Sequence, residues 1–174
     1  EGEEECPKRR FPLAEPVYSA KRPRDLTPFA AALAHLTDDR RAELDALLLE
    51  ASLPAIQSSL DDRRLTSVEL VAYYVDRMAR YDVGRRNAVM ELNPDALAVA
   101  AALDAERSAA GPRGPLHGIP VLLKDNIATA DGLRTTAGAW ALREWRPDRD
   151  AFLVQKLRDA GAVIVRQHDH GLAV

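Results

Sequence analysis

Lys124 is the residue whose setting most invites chemistry. It follows a short apolar run, residues 119–123, entered from a glycine- and proline-rich loop, and the whole of 111–125 reads GPRGPLHGIPVLLKD. Length and composition make 119–123 a buried strand, and Pro120 stands near its start, where a sheet tolerates a missing donor. A lysine that ends such a strand inside a fold loses hydration, which disfavours the ammonium and leaves an amine able to take a proton. General-base catalysis is the chemistry this placement would serve. The plainer alternative is a lysine laid along apolar surface with its charge in water.

The polar residues around it divide into turn formers and weaker candidates. Asp125 and Asn126 suit side-chain hydrogen bonds that fix a turn, with direct substrate contact as the alternative. His117 lies in the loop ahead of the strand. His168 and His170, with Asp169 between them, alternate as strand residues on one face do, but the three define no coordination geometry and no metal is expected. The loop 111–118 lacks the lysine and hydroxyl residue of a phosphate loop and precedes a strand rather than a helix, which argues against nucleotide binding. Trp140 and Trp145 read as packing residues. Cys6 is the only cysteine, so neither an internal disulfide nor a CxxC pair can form.

The elements that must position Lys124 are legible from period and caps. Leu44, Leu47, Leu48 and Ala51 share one helix face. Pro54 fits the first turn of a following helix through Leu60, with Ser52 as its cap. Thr66 and Glu69 form a T-x-x-E capping box, after which Val68, Val71, Val75 and Met78 line a face as far as Tyr81. Residues 88–92 form a short strand, and Asn93, Pro94 and Asp95 supply a cap, a first-turn proline and an acid for an alanine-rich helix to Arg107. With 119–123 this predicts a right-handed, parallel strand-helix-strand unit. Leu153, Leu157 and Ala160 mark a further helix leading through Gly161 into a strand at 162–165. The predicted class is α/β: a parallel or mixed sheet flanked by helices, with a helical N-terminal layer.

Residues 114–127, GPLHGIPVLLKDNI, resemble the lysine-bearing segment of the amidase signature family. The likeness continues upstream in 65–82 and 87–107 and downstream in 135–142 and 149–165, in the family's order. It covers about residues 25–165, and several ordered blocks are far more specific than one short motif. The resemblance implies the N-terminal part of an amidase fold and hydrolysis of carboxylic amides by a Ser, cis-Ser, Lys triad. Lys124 would be the base and proton shuttle, with one serine as relay and another as nucleophile. His117 matches a loop histidine of that segment, outside the triad. The glycine- and serine-rich stretch that supplies both serines lies farther along the family's chain. The serines here, Ser19, Ser52, Ser58, Ser59, Ser67 and Ser108, all precede Lys124, and none sits in a Gly-rich turn suited to a nucleophile. After Val165 the likeness stops abruptly, which reads as a truncated or frameshifted frame or a cut piece, inactive alone.

Composition is compatible with this. A chain of 174 residues with 47% hydrophobic and 29% charged residues can bury a core, though it is short for a complete amidase. A net charge of −3 offers no argument for nucleic acid or an anionic membrane, and no apolar stretch is long enough to span a bilayer. Residues 1–24, rich in proline and mixed charge, predict an extended or disordered leader. Residues 25–174 are then the amidase part, divided into a helical layer at 25–82 and an α/β part at 87–174. EGEEECPKRR carries no apolar signal core, which slightly favours the cytoplasm and leaves the compartment open. The expected partner is a small-molecule amide, with no cofactor, and self-association of the fragment is expected. Two alternatives stand beside the hydrolase: a non-catalytic pseudoenzyme or binding fragment, and the A subunit of an aminoacyl-tRNA amidotransferase. The helical stretch 25–60 looks more like free-standing amidases than like that subunit.

Overall fold

The computed structural model describes residues 24–86 and 88–168. A 3₁₀ turn at Thr27–Phe29 runs into α1 (Ala30–Ala34), followed by α2 (Asp38–Leu48), α3 (Leu53–Asp61) and α4 (Ser67–Tyr81). Then come β1 (Val89–Leu92), α5 (Ala96–Ala110), β2 (Pro120–Lys124), α6 (Phe152–Asp159) and β3 (Val163–His168). The leader expected at 1–24 lies, but for Arg24, outside the described residues, as do Cys6, Asp169 and His170. Arg24 itself is packed, paired with Asp82 at 2.9 Å.

The helix starts follow their local chemistry. Ser52 accepts from the Ala55 N–H ahead of Pro54, and Thr66 and Glu69 form the reciprocal capping box at the head of α4. A third device completes that terminus from a distance: the Asp104 carboxylate, on α5, accepts the N–H groups of Ser67 at 2.8 Å and Val68 at 3.1 Å. Three donors that a helix start leaves open are thus satisfied, and a negative group sits where the helix dipole favours it.

Three apolar clusters hold the elements together. Val71 and Val75 of α4 join Ala96, Ala100 and Leu103 of α5 against Val89, Leu92, Val163 and Val165 of the sheet. Leu44, Leu48, Ile56, Leu60, Leu70 and Tyr73 knit α2, α3 and α4. On the other sheet face, Leu123 and Ile164 pack on Val154 of α6. Each such Leu, Ile or Val is worth about 1.5–3 kcal/mol when fully buried.

The α/β class and mixed sheet are as expected, but the strand order is not. The sheet runs β1-β3-β2, with β3 antiparallel to β1 and parallel to β2. The parallel unit predicted from 88–92 and 119–123 is therefore corrected: β3 separates the two strands. The parallel neighbours are instead β2 and β3, joined through α6. The reason is burial. Residues 163–165 are buried on both faces, Val163 and Val165 toward α4 and α5 and Ile164 toward α6, so β3 is the strand suited to the centre.

Two smaller corrections are of the same kind. Asn93 makes a turn instead of capping α5, its Oδ1 accepting the Asp95 N–H at 3.0 Å and its amide donating to the Ile164 carbonyl at 2.8 Å. In α6 it is Val154 that faces inward, while Leu153 is 52% exposed. Val154 and Leu157 lie three residues apart on one helix face and pack on β2 and β3.

Tyr73 is fully buried between α2 and α4, and its hydroxyl donates to Asp45 Oδ1 at 2.6 Å. Burial first, and the bond to Asp45 second, push the phenol up to about 12 from 10.0. A raised folded value means that the neutral phenol is favoured in the fold. Its contribution to stability is complete below pH 10 and is lost as the pH rises through 12. Urea titrations should show the midpoint falling across that window, and Tyr73→Phe should flatten part of the fall. An unchanged alkaline limb in Tyr73→Phe would refute the coupling.

Candidate active site

Lys124 is the last residue of β2, and its place follows from the loop that feeds the strand. His117 is fully buried, with Nε2 2.9 Å from the Leu103 carbonyl and Nδ1 3.3 Å from the Arg113 N–H. A neutral ring that donates through Nε2 and accepts through Nδ1 satisfies both contacts. The carbonyl of His117 accepts from Gln57 at 3.1 Å and from Arg107 at 2.9 Å. This histidine therefore ties the loop to α3 and α5. Gly118 follows at φ +77°, and a Cβ there would stand 2.1 Å from Ser67 Oγ. Only glycine combines that backbone with that approach.

Beyond the loop, β2 alternates. Leu123 is buried against α6, whereas Leu122 and Lys124 are exposed on the opposite face. That face borders an apolar groove of about 190 Å³, lined by Ile56, Leu70, Tyr74, Met78, Pro120 and Leu122 among others. Of the two settings open to Lys124, the chain shows the exposed one: it lies at an exposed strand end, because β2 is an edge of the sheet among the described residues.

The turn after the lysine is firmly held. Asp125 is 2% exposed. Its carboxylate accepts the Thr136 N–H at 3.0 Å and the Thr136 hydroxyl, and its carbonyl accepts the Ala137 N–H at 3.1 Å. The Lys124 carbonyl accepts the Ile127 N–H at 3.0 Å. The turn itself is closed by the Lys124 carbonyl, and the Asp125 side chain, instead of bonding nearby backbone, anchors the distant segment 135–138. Asn126 is exposed. His168 contributes backbone to β3 opposite Lys124.

No described serine approaches a nucleophile's setting. Ser52 caps α3, Ser58 is exposed on α3, Ser59 and Ser108 bond carbonyls of their own helices, and Ser67 Oγ is buried against Gly118 without a hydrogen-bond partner. Trp140 and Trp145, expected to pack, are 60% and 46% exposed. Among the described residues no group of three His, Cys, Asp or Glu could hold a metal ion, and no helix is long and apolar enough to cross a membrane.

Comparison with known proteins defines the class. The profile of the Amidase family matches residues 69–167, a span that includes β2, Lys124 and β3. An amidase-family protein of Schizosaccharomyces pombe is 44% identical over 117 residues, covering 67% of this chain and 20% of the relative. The A subunit of glutamyl-tRNA(Gln) amidotransferase from Azoarcus sp. is 40% identical over 116 residues, covering 67% of this chain and 23% of its own. The peptide amidase from Stenotrophomonas maltophilia superposes with a TM-score of 0.66 and 48% identity over 69% of this chain and 25% of its own. The chain belongs to the amidase family. Its matched part spans about a quarter or less of each relative's length.

Proposed function

We propose that this chain supplies the lysine-bearing portion of an amide hydrolase, with Lys124 as the base and proton shuttle. The observation that carries the reading is the position of Lys124. It stands at the C-terminal end of β2, next to Leu122 on the face bordering the apolar groove, within the family match. Parallel strands in α/β sheets present their sites at such ends. A serine hydroxyl would pass its proton, through a second serine, to Nζ as its oxygen bonds the amide carbonyl carbon. The same proton would go to the departing nitrogen as the C–N bond breaks, and water would then release the acyl group. No metal or organic cofactor is needed for these steps.

In this reading both serines, and the backbone donors that stabilise the oxyanion, belong to the family's glycine- and serine-rich stretch, which residues 1–174 do not contain. The isolated chain is accordingly expected to show no amide hydrolysis above background, because a base without a nucleophile and oxyanion donors accelerates little. The assay is a panel of peptide, aryl, fatty and small aliphatic amides. Enzyme-level turnover that a serine-directed reagent blocks would overturn the proposal.

The second reading, the A subunit of an amidotransferase, is favoured by the 40% identity to the Azoarcus protein. It shares the lysine segment and changes the ammonia acceptor. Helices α1 to α3, at residues 30–61, speak for the free-standing amidase.

A further inference from the structure

Resting on the assignment of Lys124 as the base, we propose that Asp125 is its positioning residue, acting through Thr136. The direction in which a side chain leaves a strand end is set only where the backbone on both sides of it is fixed. Upstream, β2 is held by pairing with β3 alone, since its other edge is unpaired among the described residues. Downstream, the turn that begins at Lys124 is closed by its own carbonyl accepting from Ile127, and then clamped by Asp125.

The clamp is a small closed network. Thr136 gives Asp125 both its N–H and its O–H, while its Oγ1 accepts the Gly138 N–H at 3.2 Å. Ala137, between them, holds φ +50°, a left-handed backbone that a residue with a side chain keeps only where its surroundings impose it. The Asp125 carbonyl supplies that imposition by accepting the Ala137 N–H. A buried carboxylate that takes two donors from one residue is a charge-assisted anchor, stronger than a neutral pair. Its effect is to seat the segment 135–138 beside the strand end and to fix the direction in which Lys124 leaves the sheet.

The test is residue-resolved hydrogen exchange on the whole chain, comparing Thr136→Val, Thr136→Ser and Asp125→Asn with the parent. Valine keeps the shape of threonine and removes the hydroxyl; serine does the reverse. Loss of one charge-assisted bond should speed exchange at Ile127 and Ala137 about tenfold in Thr136→Val. Thr136→Ser should stay near the parent, Asp125→Asn should fall between, and α4 should exchange alike in all. Protection retained by valine and lost by serine would mean packing alone, and uniform loosening that includes α4 would mean general stability; either overturns the proposal. Lys124→Ala should leave this exchange pattern unchanged, so the clamp can fail while the base assignment stands, and the reverse.

Discussion

Produced alone, the 174-residue chain is expected to self-associate or aggregate. Among the described residues one edge of β2 is unpaired, and such an edge pairs with other chains unless charge, proline or a covering element prevents it. Pro120 blunts only its beginning. Next to the edge, Leu122 is 45% exposed above the apolar groove, and Phe152 at the start of α6 is 73% exposed. Large exposed apolar side chains beside an open strand edge mark a contact surface or an aggregation liability. Light scattering should therefore report species larger than a monomer. Hydrogen exchange should find α4, with its capping box and the Asp104 carboxylate, better protected than β2. A monodisperse monomer that unfolds cooperatively, with protected amides in all three strands, would contradict this and favour a self-sufficient binding module.

What was legible in the sequence was local. The Thr66 and Glu69 box, the Ser52 cap before Pro54 and the apolar stripe of α4 are each set by residues within a turn or two of one another, and all are found as read. The lysine segment was legible because its residue types are specific in order. What escaped is long-range. Asp104 reaches α4 across 36 and 37 positions, and the order β1-β3-β2 depends on which strand finds cover for both faces. The choice between a desolvated and an exposed Lys124 is another such case, since nothing in 119–123 says what packs beside the strand. The clamp from Asp125 to Thr136 had a faint signal, an aspartate directly after the strand, but its partner lies eleven residues on.

The central claim is that Lys124 carries the proton, and one measurement reaches it most directly. Residues 69–167 would replace the matching part of the Stenotrophomonas maltophilia peptide amidase, whose sequence is 48% identical over the superposed region. The hybrid is expected to hydrolyse amides, and Lys124→Ala within it should lower kcat by about 10³-fold or more, the scale of losing a general base. The fold should survive, because an exposed strand end accepts a small residue, and an unchanged cooperative melt would establish that. A folded Lys124→Ala hybrid with near-normal turnover would contradict the assignment.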